Sequence, residues 1–178
     1  MKVRLHLDGK RHFNEEQWAM IHDAFQFFID KYKLNKYDLP IYVKFPQKLD
    51  TDDYGPFAVS RGQCLTEFYA IGNRCRVERF IISITPGHIY KVIEVIFHEM
   101  THVLQEVRGD IQRQYDGSEI YRGVHYSVDI LKKPTYKEYR NFPWEVEARE
   151  VSYEMLSKWK ASRGVKESFW QKLIKLWS

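Results

Sequence analysis

Cysteine is scarce in this sequence: Cys64 and Cys75 are its only two. That excludes a disulfide framework and a four-cysteine zinc site. Long apolar runs are missing too, since none approaches the roughly 18 residues of a membrane span. The first residues, Met1-Lys2-Val3-Arg4-Leu5-His6-Leu7-Asp8, interleave charged and apolar side chains. They hold no signal-peptide core, and the expectation is a soluble, cytoplasmic chain. Charge of one sign is also in short supply. Lys+Arg at 28 against Asp+Glu at 24 leaves +4, which permits an anionic partner without calling for one. No internal repeat or low-complexity tract occurs. What remains is 178 residues, 44% hydrophobic and 16% aromatic, enough to bury one sizeable core and too apolar for disorder. The whole of 1–178 reads as a single domain.

Local patterns set out the elements. Val3, Leu5 and Leu7 alternate with polar residues, a strand. Asn14-Glu15-Glu16-Gln17 has the form of a capping box. Behind it Trp18, Ile21, Phe25, Phe28 and Tyr32 keep helical spacing, which predicts a helix over about 14–34. Ile41, Val43 and Phe45 alternate as a second strand, and 46–62 reads as a loop. Cys64 to Ile71 and Cys75 to Ile84 are β-rich runs around Gly72-Asn73-Arg74, a hairpin that would bring the two thiols near each other, reduced and buried. Thr85-Pro86 offers an N-cap and a first helical proline, so a helix is expected over about 86–108, ending at Gly109. The polar, tyrosine-rich stretch 109–142 reads as a long connection of the kind that often carries function. Helical spacing returns from Pro143 to about Trp159, and a short last helix is expected after Gly164. Strands early and helices late indicate an α+β fold.

The chemistry lies in His98-Glu99-Met100-Thr101-His102, an HExxH motif. Four residues apart on a helix, His98 and His102 share one face and can reach a single zinc ion. Glu99, beside the first ligand, can then act as general base on a zinc-bound water. Random placement of this chain's His and Glu would produce the motif with a probability of roughly 0.02. Its surroundings, Val92, Ile93, Val95, Ile96, Phe97, Val103 and Leu104, are apolar almost all round. Two His and a Glu in so buried a helix are costly unless something binds them.

The run Val95 to Leu104 around this motif resembles the active-site helix of zincin metallopeptidases. Pro143-Trp144-Glu145-Val146-Glu147-Ala148 resembles the second metal-binding helix of small gluzincin-like proteins, many of them encoded by phages and mobile elements. The resemblance spans roughly residues 75–160. It implies a minimal zincin-like domain with a small mixed sheet, one zinc ion, and a third ligand in the Glu that precedes Ala, which is Glu147. It also implies that the strand before the motif helix, Phe80 to Ile84, forms the cleft edge on which an extended peptide lies. Thermolysin-type gluzincins carry an Asp four residues after the ligand Glu, where this chain has Val151. The metzincin pattern fails at Gln105 and Arg108.

Periodicity alone does not choose the third ligand. Trp144, Ala148, Val151, Met155 and Trp159 form one apolar stripe, and Glu145 and Glu147 fall on its opposite flanks, each about 80° from its centre. Arg149 stands four residues after Glu145, an arrangement that suits a surface ion pair and leaves Glu147 for the metal. His125 is the rival, because SprT-type proteases, which cut DNA-crosslinked proteins, take their third ligand from a downstream His. Tyr121, Tyr126, Tyr136 and Tyr139 all lie between the ligand segments, and a Tyr or His near zinc commonly stabilises the oxyanion of this reaction. Tyr126 and His125 are the nominees.

The expectation is therefore peptide-bond hydrolysis by zinc on His98, His102 and Glu147, with Glu99 as base and a peptide or protein as substrate. Two alternatives stay open: an SprT-like protease acting on DNA-bound proteins, and a metal-stabilised binding or regulatory protein without turnover. Residues 158–178 are strongly basic and carry Trp159, Trp170 and Trp177. This mixture can serve nucleic-acid contact, but the single stripe of Phe169, Leu173 and Trp177 favours a helix docked on the core with its lysines in solvent.

Overall fold

The computed structural model describes residues 3–49, 62–71, 74–132 and 134–165. Most of the loop read at 46–62, the turn at 72–73 and the last helix expected after Gly164 lie outside the described residues. The sheet opens with β1 (Arg4–Asp8), and the chain then forms α1 (Glu15–Lys31), β2 (Pro40–Lys44), β3 (Gly62–Ile71) and β4 (Arg74–Ile84). At the start of α1, Asn14 accepts from the Gln17 backbone N–H and the Gln17 side chain accepts from the Asn14 N–H, the reciprocal cap that the sequence promised. The strands form one sheet in the order β1-β2-β4-β3. The first three are parallel, and β3 runs antiparallel to β4 with a register shift at Glu67/Phe68.

This order corrects two expectations. β4, the strand before the motif helix, sits between β2 and β3, so among the described residues the terminal strand on that side is β3. The two cysteines do not meet either: Cys64 pairs with Ile82, while Cys75 pairs with Ala70 six rungs further on. At roughly 3.3 Å per residue that is about 20 Å along the strand.

The motif helix α2 spans Ile89–Arg108 and begins after His88, not at Pro86. Ile84 is still paired in the sheet, so residues 85–88 are needed to carry the chain into the helical layer. α2 ends at Gly109 with φ of 74°, a left-handed conformation that glycine adopts without a Cβ clash. The connection at 109–142 is built, not open. It holds a three-stranded antiparallel sheet of β5 (Ile111–Arg113), β6 (Glu119–Tyr121) and β7 (Val124–Tyr126), then α3 (Val128–Lys132) and α4 (Tyr136–Arg140). The last described helix, α5, covers Pro143–Ser162 with Pro143 in its first turn.

Alternation along the strands sends Ile41, Val43, Phe80, Ile82 and Ile84 to one face of the large sheet. There they meet Phe25 and Phe28 of α1, Ile93, Ile96, Phe97 and Met100 of α2, and Met155 and Trp159 of α5. A separate small core of Ile111, Tyr121, Phe142 and Trp144 ties the small sheet to the start of α5. The result is an α+β architecture in which α2 is clasped between the large sheet and α5. No helix among the described residues is long and apolar enough to cross a membrane.

Candidate metal centre

His98 and His102 lie one turn apart on α2, with their Nε2 atoms 3.3 Å from each other. The carboxylate that meets them is Glu145. Its Oε2 is 3.3 Å from His98 Nε2 and its Oε1 is 3.2 Å from His102 Nε2. Among the described residues these three form the one group of His, Cys, Asp and Glu whose donor atoms converge as metal ligands do. Two imidazoles and a carboxylate, partly or wholly buried, can hold a metal ion.

The expected third ligand, Glu147, faces elsewhere. Its Oε2 accepts from Tyr121 Oη at 2.7 Å and Gln105 Nε2 at 2.8 Å, and its Oε1 accepts from Arg122 at 2.6 Å. The surface pair imagined for Glu145 fails because Glu145 is only 4% exposed and lies on the flank of α5 turned to the motif. α5 crosses α2 so that the Glu145 flank meets the His98–His102 turn. The Glu147 flank meets Gln105, one turn further along α2. Position on the apolar stripe could not reveal that crossing.

The two nominees for a substrate contact are not brought to the group. His125 is exposed on β7, opposite Ile120. Tyr126 packs its ring against Phe142 and Trp144, with centroids 6.1 and 4.9 Å away. The tyrosine that does reach the site is Tyr139, which donates to Glu145 Oε1 at 2.7 Å. It is one of five tyrosines in the connecting stretch 109–142, and α4 is the element that presents it. Tyr121 serves Glu147, and nothing is described of the Tyr136 side chain.

Two more residues escaped the sequence reading. Gln105 is 1% exposed and accepts at Oε1 from His102 Nδ1 at 2.9 Å. Its signal was the spacing 98, 102, 105, which puts a third polar residue on the motif's own face of a buried helix. Gly62, the first residue of β3, lies against the general-base candidate. A Cβ there would stand 2.5 Å from Glu99 Oε1 and closer still to Val95 Cγ1.

Electrostatics follow from this packing. Burial raises the Glu99 carboxyl above its ordinary range, and the charges of His98 and His102 restrain the rise. Burial also opposes a charged His102, but the hydrogen bond and charge of Glu145 outweigh it and push that imidazole up to about 9. Glu145 resists the same burial: its bonds to His102 and His98 hold it well below the usual carboxylate range. A cation held by the two imidazoles would meet the Glu145 carboxylate in place of a proton.

No family model, curated protein or solved structure matches the chain.

Proposed function

We propose that the protein is a zincin-like metallopeptidase that uses one zinc ion, held by His98, His102 and Glu145, to hydrolyse peptide bonds. One observation carries the reading. Four ligands about 2.0–2.1 Å from zinc in a tetrahedron are spaced about 3.3 Å apart. His98 Nε2 and His102 Nε2 stand 3.3 Å apart, and Glu145 turns one oxygen to each, Oε2 at 3.3 Å from His98 and Oε1 at 3.2 Å from His102. The two nitrogens have that tetrahedral spacing. With Glu145 binding through one of its oxygens, three protein ligands would leave a position for water or substrate, the arrangement of catalytic zinc sites.

Zinc in such a site supplies Lewis acidity, which acidifies water and polarises a carbonyl. The chain's own residues supply the rest. Glu99 is next to His98, and its buried carboxyl, raised above the ordinary range, is tuned toward the proton affinity that a general base needs near neutral pH. It takes a proton from the attacking water and passes it to the leaving amine. Tyr139 donates its one phenolic hydrogen to Glu145 Oε1 and so holds that carboxylate against the histidines. β3, the terminal strand of its sheet among the described residues, gives an extended peptide an edge to join. The SprT-like alternative rested on His125 as ligand, and Glu145 takes that part in this reading.

A digest of a broad peptide library, run with and without a chelator, tests the proposal. Cleavage that the chelator stops and zinc restores is expected. Glu99→Gln should bind zinc as the parent does and cut nothing. Bound zinc without cleavage would point instead to a binding or regulatory protein on the same scaffold.

A further inference from the structure

We propose that Glu147 is a positioning residue: it fixes the side-chain amide of Gln105 so that the amide oxygen meets His102 Nδ1, which leaves Nε2 as the ring nitrogen facing His98 and Glu145. The use of this arrangement rests on the metal-site reading above, but the arrangement itself is measurable without metal.

The argument is one of donors and acceptors. A glutamine amide has an oxygen that only accepts and a nitrogen that only donates, and its neighbours decide which end lies where. One end of Gln105 faces the backbone carbonyl of Trp144 at 3.0 Å and Glu147 Oε2 at 2.8 Å. Both of these are acceptors, so that end is the nitrogen. The other end, at His102 Nδ1, is then the oxygen. An oxygen there keeps the hydrogen on Nδ1 whether the ring is charged or neutral. Nε2 is therefore the nitrogen that yields its hydrogen to a metal. Ligand histidines are commonly oriented by such an acceptor, most often a carboxylate or backbone carbonyl; here it is a neutral amide.

Glu147 can hold the amide only if it is itself held, and the β6–β7 hairpin does this. Tyr121 and Arg122 both donate to its carboxylate. Arg122 and Gly123 have φ of 46° and 85°, the two positive values of a tight two-residue hairpin turn. Arginine is uncommon at such a φ. Asp110 secures it there, its carbonyl accepting from the Arg122 N–H at 2.8 Å and its carboxylate from the guanidinium at 3.2 Å. Hydrogen bonds thus run without a break from the small sheet through Glu147 and Gln105 to His102.

The test uses Glu147→Gln, which keeps size and shape, and Gln105→Met, which keeps bulk and removes the amide. In the metal-free parent, NMR should find the Gln105 side-chain NH2 slow to exchange and close to Trp144 and Tyr121, not to the His102 ring. Glu147→Gln should free or reverse that amide, because an NH2 on residue 147 competes for its oxygen. Zinc affinity, read by chelator competition, should fall about 10- to 100-fold in each variant. It should fall no further in the double variant, since both act along one path. An NH2 facing His102 in the parent would overturn the inference. So would a folded Glu147→Gln with amide signals and zinc affinity unchanged. A parent that binds no zinc but keeps the stated amide orientation would sink the peptidase reading and leave this one standing.

Discussion

Tyr139 donates its phenolic hydrogen to Glu145 Oε1 across 2.7 Å, and the same oxygen is 3.2 Å from His102 Nε2. One carboxylate oxygen therefore faces an imidazole and a phenol at once. Tyr139→Phe removes the phenol and keeps the ring. The expected result is a folded protein whose zinc affinity is lower by about 10-fold and whose kcat falls more than KM changes. Chelator competition and steady-state kinetics on a good peptide would measure the two.

Glu145→Ala should all but abolish zinc binding, because it deletes one of three donors. Glu147→Ala should cost only the roughly 10- to 100-fold expected of a residue behind a ligand. Metal content after dialysis, followed by titration with zinc, ranks the two variants. Equal losses, or a larger loss for Glu147→Ala, would reverse the assignment.

Gly62→Ala probes the contact between β3 and Glu99, the proposed general base. The new methyl would collide with Val95 and with the Glu99 carboxylate. Glu99 has a flexible end, but Val95 is branched and partly buried against the core, so overpacking by about 1–3 kcal/mol is expected. Thermal unfolding reports that cost. Turnover should fall while bound zinc does not, since no ligand is touched.

Asp23 should give stability an acid limit far from the metal centre. Burial alone would raise its carboxyl, but Arg163 and Trp159 donate to it and hold it below its ordinary 3.8. A carboxyl depressed in the folded state stabilises the protein above its unfolded pKa and ceases to do so as pH falls through the folded value. This contribution is therefore complete at neutral pH and disappears below about pH 4. Because the pair is partly exposed, Asp23→Asn should cost only about 1 kcal/mol at pH 7. The parent and variant unfolding curves should converge in acid.

Much of this architecture was legible where a signal is local. Asn14 and Gln17 announce α1 within four residues, Ile41 and Val43 mark β2 by alternation, and Pro143 opens α5. The motif helix was clear from its apolar neighbours. The small sheet was not, because strands of three residues, such as Glu119–Tyr121, are too short for alternation to stand out from a polar loop. Glu145 and Glu147 defeated the pattern for another reason. They flank one stripe symmetrically, and what separates them is the angle at which α5 crosses α2, a property of the packed chain. Gln105 was passed over as the residue that spoils a metzincin pattern, whereas in the folded chain it is the acceptor for His102 Nδ1.

His102 and Glu145 bracket the whole of residues 103–144, so a cation bound by both is a cross-link that closes that stretch into a loop. It would act on the folding equilibrium as a tether does, since the unfolded chain must either surrender the ion or pay the entropy of keeping its ends together. Stability then becomes a function of free metal: at one hundred times Kd the gain is about 2.7 kcal/mol. Melting temperatures taken in chelator and in zinc would describe two different equilibria. Protease cutting within 109–142, the part enclosed by the loop, should slow as metal is added.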